Sequence, residues 1–197
     1  MLLERGILVS YETIRRWSRK FGAAYAKRLR RKMPSRNDVW HLDEVVISIG
    51  GRKHWLWRAV DQDGYVLDEI VQSRRDTEAA KRLLLRLLKK QGLMPKRIVT
   101  DKLRSYCAAK RDVMPSIEHR SHKGLNNRAE NSHPPLRKRE RVMQGFRSAG
   151  SLQRFTSVFS AVRNLFVPPH QKRSALATHI HRIHSMAQWK AVTAAAT

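Results

Sequence analysis

The chain has 197 residues and carries 41 lysines and arginines against 16 aspartates and glutamates, a formal charge of +25. So large an excess resists compaction unless a polyanion shares the space, and nucleic acid is the expected partner, whether for chemistry or for structural binding as in a ribosomal protein. The single cysteine, Cys107, excludes an intramolecular disulfide and a cysteine-based zinc site, and fits a reducing compartment. The leucine-rich run 83–88 is broken by Arg86. It is far short of the ~20 apolar residues of a membrane span. The opening MLLERGILVS lacks the apolar core of a signal peptide. A cytoplasmic protein with no membrane partner is expected.

Residues 1–33 read as a basic helical appendage. Residues 2–5 end one short helix, 6–9 turn, and Ser10 caps a second helix with Glu12 in its first turn. Ile14, Trp17 and Phe21 form its apolar stripe, leaving Arg15, Arg16 and Arg19 for other faces. That arrangement suits a partial helix-turn-helix for the major groove, and equally a solvated helix on a neighbour. A basic linker follows, over 22–38.

From residue 39 the period changes. VWHLDEVVISI (39–49) reads as a central strand with apolar residues on both faces and two acids, Asp43 and Glu44, in its middle. Gly50-Gly51 turns it into a second strand, 54–61, and Asp61–Gly64 turns that into a third, 65–72, an antiparallel meander. Asp76 caps a helix whose Ala80, Leu83, Leu84, Leu87 and Leu88 lie on one stripe, with Gly92 past its end. Strand 97–101 then ends on Asp101 and, following a helix, is expected parallel to an earlier strand. Ligands gather beyond such strand ends, yet an aspartate there also caps a following helix, here 102–110; both readings stand.

Residues 116–122 form a further candidate strand. A helix begins near Asn126-Asn127, and Glu130, His133 and Arg137 share roughly one of its faces until Pro134-Pro135 kinks or breaks it. A cationic stretch (Arg137, Lys138, Arg139 and Arg141) precedes the turn at Gly145-Phe146, and 148–166 reads as a last amphipathic helix. Pro168-Pro169 ends it. Residues 167–197 are expected to be a poorly ordered tail, its His179, His181 and His184 on different faces and so not a metal site.

Acids at strand positions and a glutamate on a later helix, in so basic a chain, point to hard oxygen ligands for Mg²⁺ or Mn²⁺ acting on phosphates. Glu44, Asp61, Asp63, Asp68 and Glu118 compete for the ligand roles, and periodicity does not choose between Asp43 and Glu44.

The segments HLDEVVISIGGRKHWLWRAVDQDGYVLD (41–68), RRDTEAAKRLL (74–84), IVTDKLRSY (98–106), HRSHKGLNNRAENSHPPLRKRER (119–141) and MQGFRS (143–148) resemble the compact transposases of bacterial insertion sequences, the insertion sequence six family most closely. The likeness covers about residues 8–166: LDE before a hairpin, TDK at a strand end and NNRAE opening a helix, in that order. It implies an α/β fold, a ribonuclease H-like mixed sheet of a three-stranded antiparallel meander plus parallel strands, flanked by helices, over 34–166. By motif, the family's catalytic and metal-holding carboxylates match Asp43, Asp101 and Glu130, with two Mg²⁺ or Mn²⁺ ions. Glu44 then takes a structural or supporting role.

The resemblance implies a DNA transposase that binds the element's terminal inverted repeats and target DNA, cleaves and transfers strands, and works as a homodimer or larger assembly near the bacterial nucleoid. Arg15, Arg16, Arg19, Lys102, Arg137, Lys138, Arg139 and Arg141 are the expected DNA contacts. Twenty-eight residues separate Asp101 from Glu130. That is shorter than is usual in the family, and the deficit is expected near 112–115. The appendage begins part-way through the family's DNA-binding region. The competing readings are a shortened, inactive DNA-binding copy that inhibits transposition, and a metal-dependent nuclease or resolvase.

Overall fold

The computed structural model describes residues 6, 8–29, 33–168 and 174–194. Its centre is a five-stranded sheet in the order β3-β2-β1-β4-β5. β1 (Val39–Ile49), β2 (Arg52–Val60) and β3 (Val66–Gln72) are the antiparallel meander, and β4 (Arg97–Thr100) and β5 (Glu118–Ser121) continue the sheet in parallel. The expected mixed sheet with helices on its faces is therefore borne out.

The β1–β2 hairpin depends on its glycines. Ile49 pairs with Arg52, so the loop has only Gly50 and Gly51, with φ of 56° and 76°. This is the left-handed pair a two-residue turn demands of strands with a right-handed twist. A Cβ at either position meets nothing within 4 Å, so a substitution is penalised by backbone strain alone. The Gly50→Ala/Gly51→Ala variant should lose about 2–4 kcal/mol, from ~1–2 kcal/mol per left-handed L-residue. Urea denaturation reads this as a lower midpoint, and an unchanged midpoint contradicts it.

Pleating sorts the strands into two cores. Trp40, Leu42, Trp57, Ala59 and Ile70 pack against α2 (Thr77–Gln91) and α3 (Arg104–Val113) through Leu83, Leu84, Leu87 and Tyr106. Ile47, Ile49 and Leu56 face the other way, onto Leu136 of α5 (Pro134–Val142), Phe146, and Leu152 of α6 (Ala149–Phe166). α2 begins and ends as its sequence signals require. Asp76 accepts the Ala79 amide at 2.9 Å, and Gly92 closes the end with φ 71°. The free edge of β3 is covered by α6: Gln153 accepts from Val71 N and donates to Glu69 O, while Asn164 accepts from Val66 N and donates to Val66 O. Two amide side chains thus stand in for a sixth strand.

Four expectations need correction. The helix opening at Asn126 does not run on to carry Glu130, His133 and Arg137 on one face. A 3-10 turn (Lys123–Leu125), the four-residue α4 (Asn127–Glu130) and α5 follow one another, because Pro134 and Pro135 suit only a helix's first turn. α3 starts two residues later than expected, with Leu103, not Asp101, at its N-cap. α1 (Tyr11–Arg28) extends through much of the stretch read as linker, and it packs by Phe21, Gly22 and Tyr25, leaving Ile14 and Trp17 exposed.

Lastly, residues read as loose tail form α7 (Ala175–Ala194). Trp189 lies 6.1 Å from the Tyr25 ring and 6.0 Å from that of Phe166, and Ser185 donates to Leu165 O at 2.7 Å. α6 still ends at Phe166, as expected, and α7 packs back on α1 and α6 through these partly buried aromatic rings. The short helix expected over 2–5 lies outside the described residues. No helix among the described residues is long and apolar enough to cross a membrane.

Candidate active site

β4 is short, and that shortness makes the site. It pairs with β1 only from Val39 to Leu42, where Leu42 faces Thr100. The next residues of β1, Asp43 and Glu44, therefore emerge at an open edge, and Asp101 leaves the end of β4 beside them. Asp43 follows the Ile47 face and Glu44 the Leu42 face, but at an open edge both side chains reach the same space. One carboxylate oxygen each of Asp43, Glu44 and Asp101 lies within 4.8 Å of the others. Asp101 is fixed by its neighbours: its Oδ1 accepts the Leu103 amide at 2.9 Å, and its carbonyl accepts from Thr100 Oγ1 and Ser121 Oγ, each at 2.8 Å.

Glu44 is the deepest of the three, with its side chain 1% exposed. Burial pushes its carboxyl up to about 7, against the pull of hydrogen bonds from Arg75. Arg75 Nε donates to Glu44 Oε1 at 2.7 Å, and Nη2 donates to the same oxygen. The Tyr106 hydroxyl, buried beneath, is raised well above its ordinary value by burial and by Glu44.

On the other face, the segment around α4 is locked onto β1. The buried Asn126 donates to Leu42 O at 2.8 Å, one residue before Asp43. His133 Nε2 lies 3.2 Å from Asp43 Oδ2. Burial holds that imidazole below its ordinary value, so it meets Asp43 neutral near pH 7. Arg58, opposite Asp43 on β2, is itself buried. Its Nε and Nη2 donate to Glu69 at 3.1 and 2.9 Å, and its Nη1 donates to Ser132 O at 2.6 Å. Ser132 lies on the short stretch between Glu130 and His133, so a buried ion pair helps set the path of the chain carrying both.

The structure therefore brings together two of the three expected carboxylates, Asp43 and Asp101. Glu130 ends α4, exposed, and stands outside the 4.8 Å group. Glu44 joins the group in its place. Among the other candidates, Asp68 is engaged by Arg86 and Lys90, and Glu118 by Arg97 and Arg120, both away from the cluster. Of the expected DNA contacts, Lys102, Lys138, Arg139 and Arg141 are exposed near the site or on α5. Arg137 instead turns inward, donating to Val46 O and to Glu140. On α1, Arg16 and Arg19 are exposed, while Arg15 is half-buried and donates to Glu12 at 3.3 Å.

Arg58 and Arg75 lay inside the resembling segments with no signal of their own, whereas Asn126 opened the NNRAE motif and His133 was placed on the face of Glu130.

Three carboxylates this close repel one another unless a cation offsets them, and Arg75 reaches only one side of the group. The donors are all hard oxygens. They fit a divalent ion of the Mg²⁺ or Mn²⁺ kind, on which this family's chemistry depends.

Residues 37–168 match the model of the DDE_Tnp_IS240 family, a DDE domain. Over 154 residues the chain is 29% identical to the transposase for insertion sequence-like element IS431mec of Staphylococcus aureus (strain N315), covering 76% of this chain and 68% of the relative. The transposase for insertion sequence element IS257 in transposon Tn4003 of Staphylococcus aureus is similar to the same extent. A chain of the simian T-cell lymphotropic virus intasome, in its complex with PP2A regulatory subunit B56 gamma, superposes with a TM-score of 0.50 at 17% identity, over 77% of this chain and 56% of that one. The sheet order, with helices on both faces, defines the class, a ribonuclease H-like α/β fold. The chain belongs to the DDE domain family of bacterial insertion-sequence transposases, as its motifs implied. Its enzymatic class is polynucleotidyl transfer on DNA.

Proposed function

We propose that this chain joins the ends of an insertion sequence to target DNA, with Asp43, Asp101 and Glu130 as its catalytic carboxylates. The observation that carries the reading is the convergence of Asp43 and Asp101, 58 positions apart in sequence, on one open sheet edge. Glu130, outside the 4.8 Å group, is taken as the third on motif order, and α4, which carries it, is held against β1 through Asn126. These residues would hold two Mg²⁺ or Mn²⁺ ions, which when bound would supply activation of the attacking oxygen and charge stabilisation on the leaving one.

The chain's own part is positioning. Thr100, Leu103 and Ser121 fix Asp101, and the buried His133 stands 3.2 Å from Asp43. Lys102, Lys138, Arg139 and Arg141 bind the phosphates of terminal repeats and target, as do Arg16 and Arg19 on α1. Residues 34–166 act as the catalytic domain. Pairing two element ends requires two copies of the chain or more.

A strand-transfer assay with Mg²⁺, a target duplex and the inverted repeats that flank the reading frame tests this. Joined products are expected, and Glu130→Gln should reduce them by about 100-fold, or roughly 3 kcal/mol, with DNA binding retained. Binding without joining or cutting supports an inactive copy instead. Cutting without joining supports a nuclease.

A further inference from the structure

Arg75 is not among the residues that the DDE motif accounts for, yet it is built into the site. We infer that Arg75 is a catalytic residue that contacts a non-bridging oxygen of the phosphodiester under attack. The inference rests on the proposed site at Asp43 and Asp101.

Four observations support it. Arg75 immediately precedes Asp76, the N-cap of α2, so its backbone is set by a rigid helix start. Its guanidinium lies 4.9 Å over the Trp55 ring, a cation–π seat. Nε and Nη2 both donate to the buried Glu44, which fixes the plane of the fork. The side chain is nonetheless 39% exposed, and Nη2, which already donates to Glu44, lies 4.0 Å from Asp101 Oδ2, so the guanidinium borders the acidic group. Nη1 forms no hydrogen bond among the described residues.

An arginine needed only to neutralise Glu44 has no reason to be poised this way. Ordered on three sides and open on the fourth, it has lost its rotamer freedom before any ligand arrives. That is the condition under which a cation stabilises developing charge without reorganising. Glu44 and Trp55 are then positioning residues. They act through Arg75.

In strand transfer the terminal 3′-oxygen forms a bond to the target phosphorus while the bond from that phosphorus to the target's own 3′-oxygen breaks. The attacking hydroxyl's proton leaves to solvent, and the departing oxygen gains one from solvent. The non-bridging oxygens carry the negative charge throughout, and Arg75, beside Asp101, is placed to meet one of them.

The test uses the full chain and three measurements. The first compares binding of two duplexes in Ca²⁺, one with an ordinary phosphodiester at the scissile position and one with a neutral methylphosphonate there. The parent should prefer the charged duplex by about tenfold, the worth of one charge-assisted hydrogen bond. Arg75→Gln should bind both alike, and Arg75→Lys should recover part of the preference. The second is Mn²⁺ affinity by calorimetry without DNA. Arg75→Gln should bind Mn²⁺ at least as tightly as the parent, because a competing cation is gone. The third is strand transfer, expected to fall by about 100-fold in Arg75→Gln.

A preference for the charged duplex that survives Arg75→Gln overturns the inference, as does a parent with no preference. Weakened Mn²⁺ binding in Arg75→Gln also overturns it, by assigning Arg75 a purely structural role. The underlying site fails separately, if Asp43→Asn and Asp101→Asn leave Mn²⁺ affinity unchanged.

Discussion

Asp43→Asn and Asp101→Asn should each lower strand transfer by about 1000-fold or more, roughly 4 kcal/mol in the barrier, and should weaken Mn²⁺ binding without unfolding the protein. The chemistry loses a charge while the structure loses little. An asparagine at position 101 keeps an oxygen to accept the Leu103 amide, and the Thr100 and Ser121 bonds go to the backbone carbonyl in any case. At position 43 the amide has the carboxylate's shape and can still meet a neutral His133. Each change takes one negative charge from a group of three carboxylates, which relieves repulsion in the metal-free protein. Thermal melting without metal should therefore be unchanged or raised, and stabilisation by Mn²⁺ should shrink, since a ligand stabilises only as far as it binds. A variant that melts lower without metal and binds Mn²⁺ normally points to a structural role for that aspartate.

The sheet and α2 were legible in the sequence because local signals agreed with the tertiary outcome. The strand at 39–49, the two glycines after it, Asp76 and Gly92 each carry their own instruction in a few neighbouring residues. Asp43 was legible only through motif order, since the apolar faces around Asp43 and Glu44 look alike, while Asp101 stood out at its strand end with helix capping as the rival role. Their convergence depends on where β4 stops, and nothing between residues 97 and 101 marks Thr100 as its last paired residue.

α1 and α7 were misread for one shared reason. Phe21, Tyr25, Phe166 and Trp189 define their packed faces jointly, and no single helix's periodicity contains that information. Arg75 and Arg58 were invisible on the same ground. In a chain with 41 basic residues an arginine is unremarked until its partner is known. The partners lie 31 residues away for Arg75 and up to 74 for Arg58.

That distance is why Arg58 is expected to matter most for stability. Arg58→Met should cost about 3–5 kcal/mol, because it leaves a buried carboxylate without its cation. Glu69 is 4% exposed and Arg58 1%, so neither has water to fall back on. The same change strips the Ser132 carbonyl of its 2.6 Å donor and frees the turn between α4 and α5. Arg58→Lys should rescue little, since an ammonium cannot reproduce a planar fork holding a carboxylate on one side and a carbonyl on the other. Replacing both partners, Arg58→Met with Glu69→Leu, should return much of the loss by removing the stranded charge while keeping the volume. Urea denaturation of the three variants separates the contributions. If Arg58→Met is as stable as the parent, the pair is not offsetting a buried charge. If the double replacement is as unstable as the single one, the bond to Ser132 dominates, and Arg58 serves chiefly to hold the chain between Glu130 and His133.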